Sequence, residues 1–281
     1  RAVLSLLSMQ AHVSQCKSGA LFCNICSRFW TRAHRIQQNA GMPDAVTPDD
    51  LDQAPMGVRA RARTQLLADV SRIARKHLAE SGAPGLSVRA IARELGLASS
   101  ALYRYYPSRD ALLTQLIVES YNELGDAVEI AEAACERADV ASRFRASAHA
   151  VRNWARSNPN EYSLIYGSPV PGYAAPQHTV DPATRVAAVL SRILADIDLD
   201  SLSLRLSRKL PASLQGQLDA MTGPLGGHID QNVLLLGVTQ WAKLFGMVSF
   251  ELFGTFNTVF DDADALFAAS LDLDLTALGV I

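Results

Sequence analysis

The sequence predicts an all-α protein, with a three-helix head that contains a helix-turn-helix and a larger helical body behind it. Three observations predict this. Apolar residues recur at helical rather than alternating spacing in almost every segment past Val58. The stretch Leu86 to Arg109, LSVRAIARELGLASSALYRYYPSR, reads as two short helices joined by a glycine turn. The third is the charge, which divides along the chain. From Arg59 to Asp110 there are 10 Lys or Arg against 4 Asp or Glu; from Ala111 onward there are 11 against 20. The head is basic and the body acidic, although the formal net charge of the whole is only −2. A chain of 281 residues with 49% hydrophobic content is long enough for two domains and a sizeable core.

Residues 1–57 read as a flexible or disordered extension. Three of the four cysteines fall there, no long amphipathic pattern does, and MPDAVTPDDLDQAP has the composition of a tail. The shift at Met42 predicts a natural start at that residue.

The head spans residues 58–106. Its first helix, Val58 to Glu80, carries an apolar stripe of Leu66, Val70, Ile73, Ala74, His77 and Leu78. Its other side is basic, with Arg59, Arg61, Arg63, Arg72, Arg75 and Lys76. The SGAPG run, Ser81 to Gly85, breaks it. Ser87 is placed to cap the next helix, whose buried face is Val88, Ile91, Ala92 and Leu95. Gly96 suits the left-handed residue that ends a helix. A second short helix then runs from Ser99 to Tyr106, with Leu102 and Tyr106 inward and Ser100, Ala101, Tyr103, Arg104 and Tyr105 outward or sideways. Pro107 stops it and Ser108 caps the following helix. A polar helix held after such a turn, in basic surroundings, is how a protein presents a helix to the major groove.

This block resembles the amino-terminal DNA-binding domain of TetR-type repressors over about fifty residues. The family pattern has Ser or Thr, Ile-Ala, Gly-Val-Ser, Leu-Tyr-Arg-His-Phe and a Ser-Lys step. Here stand Ser87, Ile91-Ala92, Gly96-Leu97-Ala98, Leu102-Tyr103-Arg104-Tyr105-Tyr106 and Ser108-Arg109. Ala98 replaces the usual capping residue, so Ser99 is the alternative cap. Tyr105 replaces the usual His and keeps a hydroxyl donor.

The body, residues 107–281, begins with a long helix marked by Leu112, Leu113, Leu116, Ile117, Ser120, Tyr121 and Leu124. The resemblance implies that this helix carries movement between head and body. Helices follow at Asp139 to Ser157 and Glu161 to Tyr166. After a proline-rich loop, 167–182, comes another at Pro182 to Ala195. Asp196 to Lys209 alternates like a strand but reads as loop followed by helix. PASLQGQLDAM reads as a short helix, then Gln231 to Phe256 and a last helix at Asp261 to Ser270 before a tail. Asn158-Pro159, Tyr166-Gly167-Ser168-Pro169, Pro171-Gly172-Tyr173 and Ala175-Pro176 are similar to the carboxy-terminal domain of one TetR-like branch, named for a Trp-His-Gly signature. The matching stretch here is Trp241-Ala242-Lys243-Leu244-Phe245-Gly246, with Phe245 at the His position.

Other chemistry is set aside. There is no Gly-rich phosphate loop, nucleophile elbow or His-Glu-x-x-His pattern, so no enzyme is expected. Cys23-Asn-Ile-Cys26, near Cys16, His12 and His34, is a single CxxC without a matched second pair. Asp196, Asp198 and Asp200 lack the Gly and distal Glu of a calcium loop. No metal and no cofactor is expected, and cysteine usage favours the cytoplasm. Val233 to Phe253 is long and apolar enough for a membrane helix, but Gln240, Lys243 and Glu251 inside it favour a buried interface helix.

The reading is therefore a ligand-responsive regulator, a repressor, that binds a near-palindromic DNA operator as a homodimer. Ser99, Ser100 and Tyr103 are assigned to base edges. Arg104 is assigned to a guanine or a phosphate, and Arg89 to either. Ser87, Tyr105, Ser108 and Arg109 are assigned to phosphates. The helix at Gln231 to Phe256, paired with Pro182 to Ala195, is the expected dimer element. Trp154, Tyr162, Tyr166, Trp241, Phe245 and Phe250 either line an apolar pocket or serve as plain core. By resemblance, the effector is small and apolar or amphipathic. The rival reading is a non-enzymatic helical dimerisation module that binds DNA only loosely, or binds protein alone.

Overall fold

The computed structural model describes residues 57–198, 202, 210–222 and 229–281, and no strand occurs among them. The expected extension before residue 57, its cysteine cluster and the start at Met42 lie outside the described residues. So do most of the strand-like stretch 196–209 and the glycines at 223, 226 and 227.

The head is built from α1 (Val58–Ser81), a 3₁₀ turn (Ala83–Gly85), α2 (Val88–Glu94) and α3 (Ser99–Tyr103). Val70, Ile73, Ala74 and Leu78 of the predicted α1 stripe are buried, joined by Val88, Ile91, Ala92, Leu102 and Tyr106; Leu66 and His77 of that stripe and Leu95 after α2 are only half-buried, at the edge of the head core. The α3 helix ends three residues sooner than its sequence suggests. The carbonyl of Leu102 accepts the N–H groups of both Tyr105 and Tyr106, which closes the helix in a turn. Pro107 then disfavours a helical conformation at Tyr106.

The body contains α4 (Arg109–Ala133), α5 (Val140–Ser157), α6 (Pro159–Tyr166), a 3₁₀ turn (Gln177–Thr179), α7 (Val180–Ala195), α8 (Ala212–Thr222), α9 (Gln231–Leu252) and α10 (Ala263–Ala277). The boundaries differ from expectation at four helices, each for a local reason. Prolines occupy the first turns of α6 and α7, where no N–H is needed, so both helices begin before the predicted residue. Gly254, with φ of 77°, stops α9 before Phe256; Thr255 N–H reaches back to the Phe250 carbonyl at 2.8 Å. The α10 helix runs on to Ala277 because Leu271 and Leu275, with Leu278 just beyond, continue the buried stripe of Phe267.

The long α4 joins the two parts. Its first half, Leu112 to Tyr121, closes the head core. Its second half, Leu124 and Val128, enters the body core and packs with α5 and α7. The loop after α6 also reaches into the head core. Tyr173 is buried there, and its hydroxyl lies 2.9 Å from Thr114 Oγ1 on α4.

Among the described residues α9 is the one helix long and apolar enough to cross a membrane. Three of its polar side chains make contacts inside the protein. Gln240 donates to the Asp274 carbonyl at 3.2 Å, Lys243 pairs with the Asp274 carboxylate at 2.7 Å, and Glu251 receives two bonds from Arg152. Burial pushes the Asp274 carboxyl up, and the bond from Lys243 only partly offsets this.

Arg152 of α5 is almost fully buried. It grips Glu251 of α9 through Nε and Nη2 at 2.7 and 2.8 Å, meets Asp264 of α10 at 2.6 Å, and lies over the Phe267 ring. Arg156 pairs with the same carboxylates, but its side chain is half exposed. Removing Arg152 strands a poorly hydrated carboxylate between three helices, whereas Arg156 is solvated. Arg152→Ala is therefore expected to cost about 3 kcal/mol in urea denaturation, and Arg156→Ala less than about 1 kcal/mol. Ser87 and Ser108 cap α2 and α4 by accepting the N–H of Ala90 and Ala111 at 3.3 and 3.0 Å. Ser87→Ala and Ser108→Ala should each cost about 1 kcal/mol by the same measurement.

Candidate nucleic-acid interface

The presentation of α3 begins with its turn. Gly96 adopts φ of 68°, which a side chain would strain. This lets Leu97 N–H reach the Ala92 carbonyl at 2.8 Å and Gly96 N–H reach that of Arg93 at 3.1 Å, closing the end of α2. Ala98 precedes α3 in an extended conformation and contributes no side-chain cap. Neither does Ser99, the expected substitute, which is the first residue of the helix. Leu102 is the residue of α3 that is buried, at 1% exposure. Ser100, Arg104 and Tyr105 are exposed, while Ser99 and Tyr103 are half-buried. Tyr103 packs partly against the head core and stays half-exposed.

The head's cations fall into two groups. Arg72, Arg75, Lys76 and Arg109 have acidic partners. Arg59, Arg61, Arg63, Arg89, Arg93 and Arg104 are exposed and form no ion pair among the described residues. Arg63 of α1 lies over the Tyr105 ring, 5.8 Å from its centroid, which joins the start of α1 to the end of α3. Arg59, Arg61, Arg63 and Arg93 were not singled out in the sequence for DNA. Their signal was present only as an unsorted basic charge.

Ser87 and Ser108 both use an oxygen lone pair for capping, and each hydroxyl proton remains available to an acceptor. Arg89 is exposed on α2. Arg109 is differently engaged. Its Nη2 donates to the Ala83 carbonyl at 2.7 Å and its Nη1 lies 3.4 Å from Asp110, so it braces the 3₁₀ turn. Inside the head, Glu94 ties α2 to α1 through Lys76 and His77, each at 2.9 Å. These two bonds hold the Glu94 carboxyl below the usual range.

The head meets the body through Arg75. It pairs with Glu123 and Glu119 of α4 at 2.5 and 3.5 Å, and with Glu161 of α6 at 3.6 Å. Burial disfavours this charge, but the three carboxylates together raise the Arg75 pKa. The partners lie far away in sequence, so periodicity offered no hint of this role.

Four of the six aromatic candidates come together in the body. Tyr166 stacks on Phe245 at 4.2 Å between centroids, Tyr162 lies 5.3 Å from Tyr166, and Trp241 lies 4.7 Å from Phe245. Trp154 is buried in the same core on α5. Phe250 stands apart, half exposed and in edge contact with Phe256.

Comparison with known proteins agrees with this arrangement. Residues 72–116 match the model of bacterial regulatory proteins of the tetR family, and residues 144–273 match that of the tetracyclin repressor-like C-terminal domain. The HTH-type transcriptional regulators Rv1816 of Mycobacterium tuberculosis and Mb1846 of Mycobacterium bovis are each 38% identical over 226 residues, covering 79% of this chain and 96% of theirs. A crystal structure of SCO4313, described as a regulatory protein, superposes with a TM-score of 0.64 at 32% identity, over 77% of this chain and 98% of that one. The chain belongs to the TetR family and is a DNA-binding transcriptional regulator with a helix-turn-helix head.

Proposed function

We propose that the protein is a ligand-responsive repressor that binds a near-palindromic operator as a homodimer. It acts by binding, without catalysis, in the cytoplasm. One observation carries this reading. The exposed side of α3 adjoins arginines with no acidic partner among the described residues, in a chain whose body is acidic. Unpaired cations release counterions when they meet phosphates, and the acidic body turns away from the duplex.

The roles follow from exposure. Ser99, Ser100 and Tyr103 meet base edges. Arg104 reads a guanine or holds a phosphate, and Arg89 does either. Ser87, Tyr105 and Ser108 donate to phosphates, with Arg63 steadying Tyr105. Arg109 keeps the 3₁₀ turn in register and contributes less directly.

A single head makes too few contacts for specific binding, so two act together on grooves about 34–36 Å apart. The dimer surface we favour is α9 with α10, rather than α9 with α7. The outward residues of α7 include Asp181 and Arg192, and its apolar side is already buried against α4, α5 and α9. By contrast, Val238 and Phe250 of α9 and Leu273 of α10 are 40%, 50% and 69% exposed. Ala265, Ala268 and Ala269 lie open on α10, which suits close helix packing.

The effector acts in the body, where Tyr162, Tyr166, Trp241 and Phe245 gather. The α6 helix links them to the head, because it carries Tyr166 at one end and Glu161, partner of Arg75, near the other. A ligand that binds the operator-bound and operator-free states of the protein unequally would act on the head through this helix.

Selection from random duplexes tests the reading: one enriched near-palindrome is expected, and smooth, sequence-blind binding would instead support a loose DNA-binding module. Tyr105→Ala should weaken binding to operator and random DNA by the same factor, about tenfold or less. Altered base preference with unchanged non-specific affinity would contradict that role. Val238→Glu should convert the dimer to monomer in analytical ultracentrifugation, because it places a charge at an apolar contact. A dimer that persists would move the interface elsewhere.

A further inference from the structure

The loop after α6 carries the run Gly167-Ser168-Pro169-Val170-Pro171-Gly172-Tyr173, and neither the DNA contacts nor the dimer surface gives it a role. It is built stiff. Tyr173 N–H donates to the Val170 carbonyl at 3.2 Å across Pro171 and Gly172, and Gly172 has φ of 77°, the residues and the bond of a type II turn. Its two ends are fixed as well. Before it, the Ile165 carbonyl of α6 accepts from the Tyr121 hydroxyl at 3.2 Å; after it, Thr179 bonds back to the Pro176 carbonyl through N–H and Oγ1 at 3.1 and 2.7 Å. Ser168, Pro169 and Pro171 stand across a groove of about 340 Å³ from Ala83 and Pro84 of the head, so the loop does not press on the head along its whole length. It enters the head core at Tyr173, which is 8% exposed. The Thr114 hydroxyl gives its proton to the Asp110 carbonyl at 2.8 Å, so in the 2.9 Å pair with Tyr173 the tyrosine donates and Thr114 accepts. A phenylalanine would fill the same space; the hydroxyl adds a directed bond to α4.

We infer that Tyr173 is a positioning residue for operator recognition: through its bond to Thr114 the body braces the head half of α4 and fixes the half-site spacing that the protein accepts. This rests on the two-headed reading above. On the body side, α4 is gripped as far as Asn122, whose carbonyl accepts from Arg185 of α7 at 2.9 Å; Gly125 has no Cβ to hold that side chain off. Thr114 lies about 12 Å beyond Asn122 along the helix. A helix clamped at one end can bend, and a second attachment at that distance, on a short stiff loop, stops the free end from swinging. The Arg75 ion pairs also join head to body, but a long guanidinium side chain, 21% exposed, follows small shifts that a buried hydroxyl pair does not. The first turn of α4, with Ser108, moves with Thr114, because the Asp110 carbonyl is bonded to it. A head whose angle is set before binding loses less freedom when it meets its groove.

The test uses the near-palindrome selected from random duplexes and a copy with one base pair inserted between its half-sites, which moves one of them by about 3.4 Å and turns it by about 35°. The full wild-type chain should bind the inserted copy about thirtyfold more weakly than the selected duplex. Tyr173→Ala should shrink that ratio to about threefold, by losing affinity for the selected duplex while keeping its affinity for random DNA. Tyr173→Phe and Thr114→Val each remove the bond and keep the packing. Each should shrink the ratio, and the double variant should shrink it no further than either alone. A fold weakened as a whole would lose affinity for both duplexes alike, so an unchanged ratio in folded Tyr173→Ala overturns the inference. Should Tyr173→Ala not fold, an unchanged ratio in both Tyr173→Phe and Thr114→Val does the same, as does a wild-type ratio near one. Selection that returns only single half-sites fails the two-headed reading itself, and the spacing role with it.

Discussion

The burial of Leu102 fixes which side of α3 faces outward. Five residues are too few to hold a helix by hydrogen bonds alone, so α3 exists because it is docked. Leu102 supplies that docking against a core made of Val70, Ile73, Val88, Ile91 and Ala92. The left-handed Gly96 sets the angle of approach, and the Leu102 carbonyl gathers the next two N–H groups to end the helix. Ser100, Arg104 and Tyr105 then face water because Leu102 does not.

The same economy governs charge. Acidic side chains in this head serve structure: Glu94 holds α1 to α2 and Asp69 answers Arg72. Cations near the start of α1 and on α2 and α3 are left without acidic partners among the described residues. Arg75, farther along α1, belongs to the other set and is committed to carboxylates of α4 and α6. One helix thus carries an end with unpartnered cations and an end tied to the body, and its rigidity relates the two. The head core is itself closed by α4 and by Tyr173 from the body, so head and body share packing as well as ion pairs.

Local chemistry was legible in the sequence and long-range chemistry was not. The Gly96 turn, the Ser87 and Ser108 caps and the buried stripe of α1 all depend on neighbours within a few residues. The end of α3 was misplaced because Pro107 looked like the stop, while the true stop is a carbonyl shared by two amides. The chain after Ser270 read as a tail, although its leucines at 271, 275 and 278 keep helical spacing. Arg75 read as part of a basic surface and Arg109 as a phosphate contact, since their partners Glu123 and the Ala83 carbonyl lie tens of residues away. Phe250 was grouped with the other aromatics by composition, yet helical phase turns it outward.

Hydrogen–deuterium exchange of the full chain with a duplex carrying its operator tests the central claim most directly. Amides of residues 99–105 and of the first turns of α1 and α4 should slow, while exposed amides of α10 stay unchanged. Protection centred on the body, or none at Ser99 to Tyr105, would contradict the account.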